Sequence, residues 1–146
     1  MSGRPTLSGE ELKRLIPQRE PIMMVDRIYS PNAEEAKTGL KIDADNMFCR
    51  DGYFMEYGLI EHAAQSAAAF VGYQEYVEKG SGMTPRLGYI GEIKKFEFFR
   101  KVRPYEVLTT SLNVLAEAGN VILIASETSS NGEKVAAGRL KLYMEE

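Results

Sequence analysis

Residues 57–72 read YGLIEHAAQSAAAFVG, an alanine-rich stretch that is apolar on nearly every side. No formally charged residue occurs between Glu61 and Glu75, a pattern typical of a helix surrounded by other structure. We expect this helix to run from Tyr57 to Glu78 and to end at the breaker Gly80-Ser81-Gly82. Its first turn nevertheless carries a carboxylate and the chain's single histidine, so ionisable groups lie in an otherwise apolar helix.

The composition is that of one globular domain of 146 residues, with a net charge of −3. The acidic balance gives no support for nucleic-acid binding. A single cysteine, Cys49, excludes an internal disulfide, and a single histidine argues against a structural zinc site, so we expect no metal. No apolar run approaches the roughly 20 residues that span a bilayer, and the N-terminus lacks a signal core. We therefore expect a cytoplasmic protein with no membrane association, whose residues 1–7 form a flexible tail.

The rest of the chain predicts a second, short helix and about six strands. The Ser8-x-x-Glu11 capping box predicts a helix from Glu10 to Leu15. Asn131-Gly132 predicts a two-residue hairpin. The economical architecture is an α+β fold, in which one antiparallel sheet wraps around the central helix and its last four strands form a meander. Such a sheet keeps unpaired edges, so we expect at least a dimer. Apolar runs and alternating patterns place the strands at residues 22–28, 36–42, 87–99, 106–116, 121–129 and 135–144.

Glu61 is the best candidate for chemistry in the chain, because an unpaired buried carboxylate is costly unless it has a function. On a helical wheel, Gln65, Ala68 and Gly72 share its face, and their small side chains would leave room for a slender ligand. A structural interpretation stays open, since alanines also let a helix pack closely on a sheet. A carboxylate in the first turn, moreover, stabilises the helix through its interaction with the helix dipole.

Other groups near the helix start have competing interpretations. The backbone amides of Gly58 and Leu59 could polarise a carbonyl oxygen, which suits acyl or β-hydroxyacyl chemistry beside a carboxylate. His62 points about 100° away from Glu61 on the wheel, and a core or rim histidine is the simpler interpretation. Cys49 fits a small buried hydrophobe better than a nucleophile, because no second histidine could activate it.

A cluster of basic residues lies between residues 86 and 103 of this otherwise acidic chain. It is either a solvated strand face or a docking patch for an anionic phosphopantetheine or an acidic carrier protein. Its members are Arg86, Lys94, Lys95, Arg100, Lys101 and Arg103.

Three segments in register resemble the β-hydroxyacyl-acyl-carrier-protein dehydratases of the hotdog fold. Residues 15–28 read LIPQREPIMMVDRI and are similar to the family's opening segment, with Gln18 where a histidine is usual. Residues 59–65 read LIEHAAQ and resemble its helix start, and residues 91–104 read GEIKKFEFFRKVRP and resemble its Gly-Ile-x-Lys strand. The short approach to the helix resembles the branch linked to aryl polyene and flexirubin-type pigment biosynthesis.

The resemblance implies a hotdog dimer in which a helix glutamate and a histidine of the other subunit remove water from a β-hydroxyacyl thioester. Glu61 stands at the glutamate and Gln65 at the motif's glutamine. Tyr53 stands at the histidine position, although a phenol is a poor substitute for an imidazole near neutral pH. His62 could take that role only if the helix start were repositioned. Substrate binding would involve Tyr57, Gly58, Leu59, Gln65 and Ala68.

Three functions follow from this resemblance. The first is a 3-hydroxyacyl-carrier-protein dehydratase of fatty-acid-type or polyene lipid biosynthesis, with an altered catalytic pair. The second is a thioesterase that hydrolyses acyl-carrier-protein or acyl-CoA substrates, and the third is a non-catalytic acyl-binding subunit of a heterodimeric dehydratase. All three imply a carrier-protein or CoA thioester as partner, and a homodimer or a heterodimer with another hotdog subunit. None needs a cofactor, because phosphopantetheine arrives as part of the substrate.

Overall fold

The computed structural model describes residues 5–29, 31–79 and 88–145, and the side chain of Lys79 is not among the described parts. The predicted breaker at 80–82, Arg86 and residues 1–4 of the predicted tail lie outside these ranges. One long helix, α1 (Glu56–Lys79), matches the prediction within one residue at each end. The described strands are β1 (Leu7–Ser8), β2 (Arg27–Tyr29), β3 (Glu35–Lys41), β4 (Cys49–Arg50), β5 (Tyr53–Phe54), β6 (Gly88–Phe98), β7 (Val107–Ala118), β8 (Val121–Ser130) and β9 (Glu133–Met144).

The main sheet of the described residues is antiparallel and has seven strands in the order β1-β2-β3-β7-β8-β9-β6. The prediction of about six strands therefore missed the two-residue β1 in this sheet, and also β4 and β5, which pair with each other in a separate two-stranded sheet. β7, β8 and β9 form the expected meander, and positive φ angles of 52° at Asn131 and 77° at Gly132 close its predicted hairpin. β6 does not join this meander next to β7, since it pairs with β9 at the far edge. A period-two pattern identifies a strand but does not determine its neighbours.

The N-terminal segment departs most from the prediction. The short helix is a 3₁₀ helix over Gly9–Arg14, in which the Glu11 carboxylate accepts the Ser8 N–H at 3.1 Å. Leu7, expected in the tail, pairs with Ile28 in the sheet. The predicted strand at 22–28 was wrong for most of its length, because only Arg27–Tyr29 is a strand. The preceding apolar residues run past α1 instead.

The core lies between α1 and the concave side of the sheet. Ala63, Ala67 and Ala69 are fully buried, which confirms that the helix is surrounded by other structure. The face expected to leave room for a ligand is closed: Ala68 is only 5% exposed, and a Cβ on Gly72 would lie 2.5 Å from the Leu15 carbonyl oxygen. The small residues on this face of α1 thus serve close packing against the N-terminal segment, and the expected groove was a wrong prediction.

The described ranges contain no helix that is long and apolar enough to cross a membrane. In the same part of the chain, no three His, Cys, Asp or Glu side chains come together as a metal site would require. Cys49 is partly buried, and burial raises the pKa of its thiol, which disfavours the reactive thiolate.

Candidate active site

Glu61 lies in the second turn of α1, partly buried, with its carboxylate held by a neighbour on the same helix face. Gln65 donates from Nε2 to the Glu61 Oε2 at 3.0 Å and to the Ile22 carbonyl oxygen at 2.9 Å. Its Oε1 accepts the backbone N–H of Met24 at 2.5 Å. Gln65 is 1% exposed, so its amide lies inside the protein. The i, i+4 spacing predicted the Glu61–Gln65 contact, whereas the two contacts to the N-terminal segment come from the tertiary fold.

His62 is fully buried and turned toward the sheet. Its Nδ1 lies 2.7 Å from the Met24 carbonyl oxygen, and its Nε2 lies 2.8 Å from the Thr110 hydroxyl. Burial lowers the pKa of His62 to about 4, against smaller opposing effects of its hydrogen bond to Met24 and of the Asp26 charge. The imidazole is therefore neutral at physiological pH and has both nitrogens engaged within the chain. This is the core-histidine interpretation, and the structure gives His62 no access to a substrate.

The helix-start amides do not form the expected site for a carbonyl oxygen. The N–H groups of Gly58 and Leu59 both point to the Met55 carbonyl oxygen, at 2.9 and 3.3 Å. Packing requires glycine at position 58, because a Cβ there would lie 2.5 Å from the ring of Phe54. Neither amide is free for a substrate in this arrangement, which corrects the predicted role.

A cleft of about 840 Å³ opens beside the start of α1. Tyr53, Tyr57 and Leu59 line it together, so the structure brings these three predicted residues to one surface. Tyr57 is 73% exposed, and its ring is available at the mouth of the cleft. Glu61 is not among the residues lining this cleft. The catalytic role of Tyr53 stays a prediction.

The predicted basic patch divides into two parts. Arg100 is bound into the fold: its guanidinium lies 2.9 Å from the Glu106 carboxylate and 3.3 Å from that of Glu133, and it donates to the Ser130 carbonyl oxygen. The Nζ of Lys101 and the guanidinium of Arg103 instead lie over the Tyr53 ring, at 4.7 and 5.5 Å from its centroid.

On β6, Lys94 and Lys95 are exposed, and Lys94 lies 3.7 Å from Glu92. Arg100 is thus paired within the fold. Of the other predicted cations, Lys101 lines the cleft and Arg103 lies beside it, over the Tyr53 ring.

Sequence reasoning missed the residues behind the site. Thr38, Thr110 and Thr128 are register partners on β3, β7 and β8, and they form a row of buried hydroxyls beneath α1. Thr38 donates to the Ser66 hydroxyl at 2.7 Å, and Thr110 contacts both Thr128 and His62. These threonines stand at core-facing positions of strands whose sequence alternates between apolar and polar residues. That position could have indicated the row, because a buried hydroxyl requires a hydrogen-bond partner.

Comparisons with known proteins agree with this geometry. A family model described as ApeP-like, ApeP dehydratase, matches residues 10–146. The 3-hydroxyacyl-(acyl-carrier-protein) dehydratase FabZ of Levilactobacillus brevis is 32% identical over 136 residues, covering 89% of this chain and 87% of that protein. FabZ of Ruminiclostridium cellulolyticum is 26% identical over 144 residues, covering 94% and 97%. The predicted resemblance to hotdog dehydratases is confirmed.

The solved structure of the dehydratase heterocomplex ApeI:P from Xenorhabdus doucetiae contains a chain of the same fold. It superposes with a TM-score of 0.82 and 18% identity, covering 99% of this chain and 93% of that one. The predicted α+β hotdog fold is thereby confirmed.

Proposed function

Because the chain belongs to the ApeP-like dehydratase family, we propose that it is one subunit of a 3-hydroxyacyl-carrier-protein dehydratase. In this proposal Glu61 supplies one of the two side chains that move protons. The curated relatives named above are dehydratases of this substrate class, which supports the assignment.

Dehydration breaks the Cα–H and Cβ–O bonds of a 3-hydroxyacyl thioester and forms the Cα=Cβ double bond. A base accepts the α-proton, and an acid donates a proton to the hydroxyl group, which leaves as water. One carboxylate does not provide both groups at once. A second acid–base group must therefore face Glu61 across the bound substrate.

The observation that carries the proposal is the contrast between Glu61 and His62. The carboxylate is partly exposed at the helix start, whereas the chain's single histidine is buried with both ring nitrogens hydrogen-bonded. We infer that the second group is a histidine of a partner hotdog subunit. This proposal shares the heterodimer with the third sequence-based alternative, but it differs from that alternative because the chain supplies a catalytic side chain.

The exposed edge of the sheet at β6 supports the proposal that a second subunit binds there. Within the described residues β6 pairs only with β9, and it exposes Tyr89 and Ile93 at 51% and 41%. A long unpaired edge with exposed apolar side chains is a template for pairing with another sheet. The solved relative ApeI:P is itself a heterocomplex. We propose that β6 is the edge that meets the partner subunit.

The remaining part of the proposal concerns the phosphopantetheine arm that carries the acyl group of the substrate. A phosphopantetheine thioester carries its own reactive group, so the protein needs no resident cofactor. In this proposal the anionic phosphate or an acidic carrier surface meets Lys101, which lines the cleft, and Arg103, which lies beside it over the Tyr53 ring. The aromatic rings of Tyr53 and Tyr57 offer apolar surface to the arm.

The test is a reconstituted reaction. The chain alone, and the chain mixed with a histidine-bearing hotdog dehydratase subunit, is incubated with a 3-hydroxyacyl-carrier-protein and analysed by mass spectrometry. We expect loss of one water from the acyl group only in the mixture. Glu61→Gln should lower that turnover by at least about 100-fold, because it removes an acid–base group.

Glu78→Gln, an exposed position near the other end of α1, is the matched control and should leave the rate unchanged. Turnover that survives Glu61→Gln would overturn the proposal. Turnover by the chain alone would overturn the requirement for a partner histidine, and release of free acid would support the thioesterase alternative.

A further inference from the structure

A series of hydrogen bonds, joined through the covalent backbone of Met24, connects the middle of the sheet to Glu61. It passes through Thr128, Thr110, His62, Met24 and Gln65, and every member is at least nine-tenths buried. The distances are 2.7 Å between the two threonine hydroxyls, 2.8 Å to Nε2 of the imidazole and 2.7 Å from its Nδ1 to the Met24 carbonyl oxygen. The Met24 N–H then reaches Gln65, and Gln65 reaches Glu61.

The direction of each bond follows from which groups can only accept. The Met24 carbonyl oxygen has no proton, so Nδ1 of the neutral His62 must carry the hydrogen. Nε2 is then an acceptor, and Thr110 must donate to it. Since Thr110 has a single proton, it accepts from Thr128. The imidazole is therefore fixed as one tautomer by its surroundings.

The orientation of Gln65 is fixed in the same way. The backbone N–H of Met24 needs an acceptor, so the Gln65 Oε1 faces it. The Ile22 carbonyl oxygen needs a donor, so the Gln65 Nε2 faces it. Both Nε2 hydrogens are then used, one by Ile22 and one by Glu61. Gln65 has no donor left for a substrate, which argues against the substrate-binding role expected for it.

We propose that Gln65 is a positioning residue that orients the Glu61 carboxylate, and that His62, as its Nδ1–H tautomer, anchors this arrangement to the sheet through Met24. In each hydrogen bond of this series, the donor lies on the sheet side and the acceptor lies on the side of Glu61. A carboxylate that accepts from a buried, fully bonded amide is held in one rotamer, so it meets the substrate without reorganisation. The effect of Gln65 on catalysis rests on the proposed function of Glu61. The hydrogen-bond pattern itself is independent of that function.

The catalytic arm of the test uses the reconstituted complex. Gln65→Met keeps the side-chain volume and removes the donors, and we expect kcat to fall by about 10- to 100-fold while KM changes less than about 2-fold. Ser66→Ala is the matched control: it is the next residue, fully buried, and loses one hydrogen bond to the sheet, from Thr38. We expect it to keep kcat within about 3-fold. A raised KM with normal kcat in Gln65→Met, or an equal loss in Ser66→Ala, would overturn the positioning role.

The spectroscopic arm needs no activity, and it uses the fact that the chain has a single histidine. ¹⁵N NMR at pH 7 should show a neutral imidazole with hydrogen on Nδ1. Glu61→Ala should shift the side-chain amide signals of Gln65, and Glu78→Ala should not. If the reconstituted enzyme is inactive while both results hold, the proposed function fails and the hydrogen-bond assignment stands. An Nε2–H tautomer, an imidazolium at pH 7 or unshifted Gln65 signals would overturn the assignment.

Discussion

At the scale of single residues, the ion pair of Arg100 and Glu106 shows how one partly buried carboxylate holds a loop against the sheet. Glu106 accepts from the Arg100 guanidinium at 2.9 and 3.2 Å, from the Ser130 hydroxyl at 2.6 Å and from the Arg103 N–H at 2.7 Å. The Arg100 hydrogen bonds, with help from Ser130 and Arg103, lower the pKa of Glu106 to about 2 despite partial burial. The carboxylate joins the end of β8 to the loop that precedes β7.

This pair predicts a specific acid sensitivity. The folded-state pKa of Glu106 lies below its ordinary value of 4.5, so its contribution to stability is present above about pH 4.5 and is lost as the pH falls toward about 2. Glu106→Gln should therefore cost about 2 kcal/mol of unfolding free energy at pH 7, and less at pH 3. Urea denaturation at the two pH values measures this difference.

Glu127→Gln is the control for the acid effect, because Glu127 makes an exposed pair with Lys134 at 3.3 Å. It should change the unfolding free energy by less than about 1 kcal/mol at either pH. A Glu106 variant that loses equal stability at both pH values would contradict the assigned role of its charge.

At the scale of elements, α1 is held by two different kinds of contact. Its alanines pack against the sheet and the N-terminal segment, and its polar residues Ser66 and His62 bond to the threonine row. Close approach is essential on the side of the N-terminal segment, where Gly72 meets the Leu15 backbone. The position of this segment also decides which backbone groups reach Gln65.

Gly72→Ala tests that close approach. In an exposed helix interior this change stabilises by roughly 1 kcal/mol, because alanine is the better helix former. Here the added Cβ would lie 2.5 Å from a carbonyl oxygen, so we expect a loss of about 1–3 kcal/mol instead. Thermal or urea unfolding decides the sign. Glu78→Ala, at an exposed helix position, should stay within about 0.5 kcal/mol of the parent protein, and a stabilised Gly72→Ala would refute the contact.

At the scale of the whole molecule, the net charge of −3 works against binding an acidic carrier protein. In the proposed function, docking would therefore depend on local cations. Lys101 lines the cleft and Arg103 lies beside it over the Tyr53 ring, whereas Arg100 is paired within the fold. The proposed partner edge β6 and this cleft are continuous through Phe98, which ends the strand and lines the cleft. Assembly and substrate binding would therefore meet at one side of the molecule.

The double variant Lys101→Glu and Arg103→Glu is expected to weaken binding of an acidic acyl carrier protein by about 10-fold at low salt. The difference should shrink near 0.5 M salt, where the Debye length falls to roughly 4 Å. Lys37→Glu, an exposed lysine on β3, is the control and should bind like the parent protein. Isothermal titration at two salt concentrations measures the effect, and salt-independent binding would remove these cations from the docking surface.

The sequence by itself determined the elements that depend on local pattern. The bounds of α1, the long strands and the Asn131-Gly132 hairpin followed from periodicity and turn residues. These features were predictable because each depends on neighbours within a few positions along the chain.

Only the tertiary structure decided what each face meets. It placed β6 beside β9 and closed the face of Ala68 and Gly72 with the N-terminal segment. It also turned His62 toward Met24 and Thr110, and Arg100 toward Ser130. The physical reason is that burial and hydrogen-bond partners are set by residues distant in sequence, so identical local patterns acquire different roles.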